Sequence, residues 1–415
     1  GCAEFPGIAS LSKVARLNQQ EAQRHGAQFL FEHIACQLVK TGKRVSGVIC
    51  KRNDGSYVQI NASRGVILAA GDFSKNAEMV EDLCDEIATL KKPGQVVTAS
   101  VRGQDGSGIR MGVWAGGRMA PGPIATMGAN YFFPNQVIGT AATVWLDRDG
   151  NRFCNEGFGD AVLSGVEGAR LPEGYVTSVF DRDLENWLTY QAPGHNAVWT
   201  SNEEDMDAIR SLMRRAREAG DEGCSLSMRP VHTPPGSGRR QAPPGMEEGM
   251  PGMPGGPGGP PPGPKEDPNE RMFCADTLPQ LADCLGFTGR KKENFLASIA
   301  RYNEFCETGR DEDFGKDPRV LLPLCKPPYY AFRRHAQIGN EFLATVDGLW
   351  TDERQNVLGM DKEPIPGLYA TGNCCGRRWG VQYSTPIPGV SIGMAWTLGR
   401  LCGIHAAEDI LQEEA

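Results

Sequence analysis

The spacing of apolar and polar positions divides the chain into strands and helices joined by glycine-rich turns. From Leu11 to Arg24 the apolar and small residues Leu11, Val14, Ala15 and Ala22 recur at helical spacing, and Gly26 follows as a helix-ending glycine. Residues Ala27 to Val39 read as a strand ending in a short helical or turn region. Val45–Cys50 and Tyr57–Ala62 alternate and flank Asp54-Gly55, the signal of a hairpin. The run from Arg64 to Asn76 holds an apolar strand that empties into a turn at Gly71. In an open α/β sheet such a strand exit is a common ligand position. Gly103 to Gly117 is a glycine-rich loop leading into a helix, without the strand and spacing of a dinucleotide fingerprint.

From about Ala120 to Arg334 the pattern changes to short strands, such as Ala142–Leu146, and amphipathic helices. Two helices are expected over Asp276–Leu285 and Lys292–Asn303, with Asp276 or Thr277 as an N-cap. Strands return at Ala336–Ile338 and Ala344–Asp352. The chain closes on a strand from Gly367 to Ala370, a glycine turn, a loop with two arginines and a tyrosine, and a helix opening near Val390. A helix that starts on glycine leaves its first N–H groups and its positive dipole end free for an anion. A packed strand–loop–helix in which the glycines only allow close contact is the alternative. The order is thus α/β, insertion, α/β, with the two flanks sharing one sheet and the insertion capping it.

Composition narrows the function classes. The 415 residues exceed one simple core and suit two domains; 40% are apolar and 23% charged, as in a globular protein. A formal net charge of -8 argues against nucleic acid as the partner. No apolar run reaches the length of a membrane span. None of the 13 cysteines forms a Cys-x-x-Cys pair and no cluster has zinc spacing, so no metal site is expected. Pro234 to Pro268, rich in Pro, Gly and Met, reads as a surface insertion, with a partner-binding arm as the alternative.

Four runs occur in order: GVILAAGDFSKN, GQDGSGIRMGVWAGG, DRDGNRFCNE and GLYATGNCCGRRWGVQYSTPIPGVSIGMAWTLGR. Together they resemble the FAD-binding fumarate reductase/succinate dehydrogenase flavoprotein superfamily, with its 3-ketosteroid Δ1-dehydrogenase and urocanate reductase relatives. ADTLPQLADCLG and ARYNEFCETGRDEDFGK resemble its capping domain. The resemblance implies an α/β fold: an FAD-binding Rossmann-like domain of the glutathione-reductase type over residues 1–118 and 336–415, with an inserted α+β capping domain over 119–335 that contains the 234–268 segment. The family's GxGxxG turn for the FAD diphosphate has no counterpart before Val14. The FAD-binding domain is therefore expected to be incomplete at its N-terminus, and this polypeptide to retain FAD poorly through gel filtration.

By the same resemblance FAD is the cofactor. Ala35 would contact adenine through its backbone, and Ala70, Gly71 and Asp72 would lie along the ribityl and phosphate region. Gly372 and Asn373 would sit near the ribitol, and Gly389, Val390, Ser391 and Ile392 would aim N–H groups at the flavin N1/O2 edge. Tyr383 would transfer a proton beside a C=C bond, as the tyrosine of the ketosteroid dehydrogenases' Y-P-G-P-G run does, although here the run is two residues longer. A packed aromatic is its alternative. Arg377 and Arg378 would hold a substrate carboxylate, or form a solvated loop pair. Asn155-Glu-Gly-Phe-Gly-Asp160 lacks the fumarate reductase arginine, and Glu341–Gly348 lacks that family's paired histidines, which argues against a dicarboxylate in fumarate's arrangement. Arg152 and Glu156 are expected to pair structurally.

The function implied is hydride transfer between flavin and an activated C=C or CH–CH bond of a small organic substrate, in the reductase direction. A non-catalytic paralogue serving as a binding or assembly subunit is the competing reading. The small-molecule substrate is the expected partner, with an electron-donor protein left open. The compartment is left open too: cytoplasmic if the chain is complete, exported if a signal precedes it. Cys374-Cys375 as a redox dithiol is disfavoured, because vicinal disulfides are strained.

Overall fold

The computed structural model describes residues 11–84, 103–122, 124, 126–127, 138, 141–158, 175–191, 198, 200–226, 270–335, 344–379 and 390–413. The chain divides into two compact units, one spanning Phe132–Ala336 and the other combining Cys2–Tyr131 with Gln337–Ala415. The 234–268 segment and the strand expected at 336–338 lie outside the described residues.

The first flank opens with helix α1 (Leu11–Arg24), which ends at Gly26 with φ +91° as the glycine predicted. Strands β1 (His33–Thr41), β2 (Arg44–Arg52) and β3 (Tyr57–Asn61) form an antiparallel meander. The β2–β3 turn is the expected hairpin: Asp54 Oδ1 accepts the Ser56 N–H at 2.9 Å and its hydroxyl at 2.6 Å. β1 begins six residues later than the sequence suggests. Phe29, Leu30 and Phe31 stay exposed, Glu32 takes φ +60°, and pairing with β2 starts only at His33↔Arg52. Strand β4 (Val66–Leu68) then leads through Gly71 to α2 (Ala77–Leu83), whose N-cap Asn76 accepts the Met79 N–H. Helix α3 (Ser107–Trp114) follows the glycine loop and buries Gly108, Ile109, Met111 and Gly112; strand β5 (Thr126–Met127) is short.

The middle unit is built on an antiparallel sheet of order β6-β7-β10-β9-β8. Its strands are β6 (Val144–Leu146), β7 (Tyr175–Asp181), β8 (Cys224–Ser225), β9 (Arg271–Ala275) and β10 (Tyr329–His335). Helices α4 (Leu184–Thr189), α5 (Glu203–Ala219), α6 (Leu278–Cys284) and α7 (Arg290–Thr308) accompany it. Every residue of β7 is buried, so this central strand has no wet face. Its polar members pair inside the core: Ser178 and Thr143 share a hydrogen bond at 2.7 Å, and the Trp145 indole N–H donates to Thr143 at 3.0 Å. β6 starts at Val144, where its pairing with Val179 of β7 begins, rather than at Ala142. Thr277 is the N-cap of α6, accepting the Gln280 N–H. Phe295, Ile299, Tyr302 and Phe305 form the buried stripe of α7. Each such side chain contributes about 1.5–3 kcal/mol by leaving water.

The chain then returns to the first unit with β11 (Ala344–Thr345), β12 (Asn356–Leu358), β13 (Pro364–Ala370) and α8 (Val390–Glu413). The strand expected over 344–352 is broken after Thr345, where Asp347 turns back to accept the Gly348 N–H. β13 is longer than expected, because Pro364 and Pro366 are tolerated at its opening. The two flanks do share a sheet, of order β12-β13-β4, in which β13 runs parallel to β4 in the register Leu368↔Val66, Tyr369↔Ile67 and Ala370↔Leu68. Leu38, Leu68, Phe73, Ile109, Leu349, Leu368 and Cys374 belong to one buried core cluster.

Candidate functional site

Parallel pairing of β4 and β13 brings their C-terminal exits side by side. The Thr371 N–H donates to Leu68 O at 2.9 Å, directly ahead of the two glycine turns. Gly71 has φ +84° and Gly372 φ +60°, values a side chain opposes, so each strand turns out of the sheet at the same edge. Helix α3 passes over this edge. A Cβ on Gly108 would stand 2.7 Å from the Ala70 Cβ and 3.2 Å from the Cys374 sulfur, so glycine there permits the contact.

Asp72 is 2% exposed, and its carboxylate faces inward. It accepts the N–H groups of Gln104 (2.9 Å), Ser74 (3.3 Å) and Thr345 (2.6 Å), while the Gly106 N–H reaches the Asp72 carbonyl at 3.0 Å. The oxygens of this side chain hold three segments together. Ala35 pairs with Cys50 within the β1–β2–β3 meander, and no pairing or hydrogen bond among the described residues ties it to the Gly71–Gly372 edge.

The turn after β13 folds Arg378 inward. Its Nε donates to Cys375 O at 2.8 Å and its Nη2 to Asn373 Oδ1 at 2.9 Å. Nη1 is buried without a hydrogen-bond partner. Burial lowers the guanidinium pKa, opposed by Cys375 and Asp347. Asp347 accepts the Gly348 N–H at 2.8 Å and the Arg377 N–H at 2.9 Å. Burial raises its carboxyl pKa, and the two amides pull it back. Arg377 has different neighbours: its backbone is left-handed at φ +56°, its side chain is exposed, and its guanidinium lies 5.8 Å from the Trp350 ring centroid. The two adjacent arginines are thus not equivalent.

Val390, Ser391 and Ile392 form the half-buried first turn of α8, while Tyr383 and Gly389 lie outside the described residues. Gln355 ties α8 to the edge, its Nε2 donating to Thr371 Oγ1 at 3.1 Å and to Leu398 O at 3.0 Å. Sequence reading missed it; its φ of +69° has no signature in composition. Cys374 donates its thiol to Gly71 O at 3.0 Å, and burial pushes its pKa up to about 11. Beside the edge lies an open cleft of about 610 Å³, lined by Lys75, Asn76, Gly103, Gln104, Asp105 and Arg110 among others. Hydrogen bonds from the Ser107 hydroxyl and N–H hold the Asp105 carboxyl below its usual range.

In the middle unit the expected Arg152–Glu156 pair is present and larger than foreseen. Arg152 donates to both Glu156 oxygens at 2.9 Å and to Asp311 at 2.9 and 3.3 Å, with all three side chains buried. Fully buried Lys316 donates to Ala142 O at 2.7 Å and to the Tyr302 hydroxyl at 3.1 Å, and lies 3.6 Å from Glu156. Burial alone would raise the Asp311 pKa; the Arg152 hydrogen bonds outweigh it and hold it at about 2. Gly159 and Asp160, at the position of the missing arginine, lie outside the described residues.

A parallel strand pair with two glycine exits at one edge, a helix entering beside them and an inward arginine together define an open α/β cofactor unit. The chain belongs to the FAD binding domain family, whose profile matches residues 7–392. It is 24% identical over 408 residues to a vinyl phenol reductase of Lactiplantibacillus plantarum, covering 94% of this chain and 70% of that protein. It is 22% identical to an NADH:acrylate oxidoreductase of Vibrio harveyi, covering 97% of this chain and 32% of that one. Among solved structures, a 3-ketosteroid-Δ4-(5α)-dehydrogenase of Rhodococcus jostii RHA1 shares the fold with a TM-score of 0.59 at 20% identity, covering 95% of this chain and 63% of that chain. The fold is that of FAD-binding flavoproteins and the cofactor of the family is FAD. The Gly71 and Gly372 exits and the unpartnered Arg378 Nη1 fit a bound anionic group at this edge. No described helix is long and apolar enough to cross a membrane.

Proposed function

We propose that the chain carries out FAD-dependent reduction of a C=C bond conjugated to an electron-withdrawing group on a small organic substrate. The hydride would come from bound FAD in its reduced form, which an external electron donor restores. The chain's own residues supply position and charge. The Gly71 and Gly372 exits would let backbone approach the cofactor, and the first turn of α8, at Val390–Ile392, would offer N–H groups to negative charge on it. Asn373 and the Cys375 carbonyl fix the guanidinium of Arg378, whose remaining Nη1 stabilises negative charge on the activating group of the substrate. Tyr383 exchanges a proton at the carbon next to the one that takes hydride. The reductive direction draws support from the names of the vinyl phenol reductase and the NADH:acrylate oxidoreductase, each of which names a compound with a C=C bond, conjugated to a carboxylate in acrylate.

The observation that carries this reading is the buried, unpartnered Nη1 of Arg378 beside the glycine exits. With FAD in excess and dithionite as reductant, Arg378→Ala should lower kcat/KM for a conjugated alkene by about 100-fold, equivalent to a lost charge-assisted contact. Flavin absorbance per chain should be unchanged. Equal kcat/KM in the variant would remove Arg378 from the reaction.

A further inference from the structure

Three cations surround one tryptophan on the surface of the flavin unit. The Arg118 guanidinium lies 4.5 Å from the Trp350 ring centroid, that of Arg377 5.8 Å, and the Lys362 ammonium 5.9 Å. None of the three side chains makes an ion pair or a hydrogen bond among the described residues. Asp361 and Glu363 flank Lys362 in sequence without forming an ion pair with it among the described residues, and Asp361 Oδ1 accepts the Glu363 N–H at 3.1 Å. A tryptophan face attracts a cation through its quadrupole without neutralising it. Three like charges around one ring therefore repel one another, and the buried Asp347 carboxylate that acts on Arg377 makes no ion pair with its guanidinium among the described residues.

The backbone gives a second, independent observation. Only Glu32, Gln355, Lys362 and Arg377 among the described non-glycine residues have positive φ. Lys362 at φ +69° and Arg377 at φ +56° both direct their charges to Trp350. Left-handed backbone on a side-chain-bearing residue is disfavoured, and persists where surrounding structure imposes it. At Lys362 it closes a turn in which the Lys362 N–H donates to Gly359 O at 3.0 Å, and the turn aims the ammonium at Trp350.

We propose that Arg118, Lys362 and Arg377 form an anion site over Trp350 that binds a phosphate or diphosphate group. Two planar guanidiniums match the oxygens of a phosphate, and three positive charges suit a multiply charged oxyanion better than a single carboxylate. The group reaches the site either as a free inorganic anion or as part of a nucleotide. The site is distinct from Arg378, which is turned inward to Asn373 and Cys375.

The test is titration of the whole chain with inorganic phosphate, pyrophosphate and adenosine 5′-diphosphate, followed by tryptophan fluorescence and calorimetry. Sodium chloride at matched ionic strength is the control. Saturable binding of pyrophosphate, weakened about tenfold for each charge removed in Arg118→Gln and Lys362→Gln, is expected. Trp350→Phe should abolish the fluorescence response and keep the calorimetric one. Adenosine 5′-diphosphate binding at least tenfold tighter than pyrophosphate would assign the site to a nucleotide, and equal binding to the free anion. Far-ultraviolet circular dichroism checks that each variant is folded. No saturable response in the wild type, or unchanged affinity in the folded Arg118→Gln/Lys362→Gln double variant, overturns the proposal.

Discussion

Asp72 accepts the backbone N–H of Thr345 at 2.6 Å across 273 residues of sequence, which makes one buried carboxylate the clasp between the two flanks of the flavin unit. The same side chain takes the Gln104 N–H at 2.9 Å, so the glycine loop before α3 is tied in as well. Asp72→Ala strands buried donors with no acceptor. A loss of about 3 kcal/mol in unfolding free energy is expected, since hydrogen bonds to a charged group contribute about 1.5–3 kcal/mol each. Urea unfolding followed by circular dichroism measures it. A loss below about 1 kcal/mol would mean that Asp72 is dispensable as a clasp.

Gly348 should tolerate no side chain. A Cβ there would collide with the Cys374 carbonyl, which is backbone and cannot rotate away. The Leu349 N–H donates to that same carbonyl at 2.8 Å, so separating the two segments also breaks a hydrogen bond. Gly348→Ala is expected to lower the melting temperature by several degrees, consistent with about 2–3 kcal/mol of overpacking and strain. Differential scanning calorimetry that finds wild-type melting would contradict the contact.

In the middle unit the acid limb of stability should report Asp311. Its folded pKa of about 2 lies below its usual 3.8, because the Arg152 hydrogen bonds outweigh burial. A depressed carboxyl pKa stabilises the fold fully above the unfolded value, and the contribution is lost as pH falls from about 4 towards 2. Asp311→Asn should lower the melting temperature at neutral pH and flatten its fall over that window. Melting curves at half-unit pH steps decide this, and a variant with the wild-type acid slope would assign the loss to other carboxylates.

Local features of the fold were legible in the sequence, and distant pairings were not. Helix α1 with Gly26, the Asp54-Gly55 hairpin and the exits at Gly71 and Gly372 all depend on neighbours within a few residues. The Asp72–Thr345, Arg152–Asp311 and Gln355–Leu398 contacts join residues 273, 159 and 43 positions apart, and nothing in a periodicity marks them. The strand expected from Ala27 failed for a related reason. Phe29 to Phe31 are apolar enough for a strand, yet the ladder to β2 begins only at His33. Asp72 follows the glycine exit in sequence, but an inward and an outward carboxylate look the same there.

The adjacent thiols Cys374 and Cys375 should be inert in the folded chain. Burial raises both pKa values, that of Cys374 to about 11, and a thiolate at Cys374 would lose the hydrogen bond its S–H gives to Gly71 O at 3.0 Å. Cys375 shares a hydrogen bond with Thr351 at 3.1 Å. Cys325 is exposed and offers a reference thiol in the same molecule. Brief iodoacetamide treatment at pH 8 should label Cys325 and spare Cys374 and Cys375, with all three labelled in urea; peptide mass spectrometry reads the sites. Labelling of Cys374 at the rate of Cys325 would show that the strand-exit edge opens readily. The thiol–carbonyl contact would then no longer count as a fixed part of the cofactor edge.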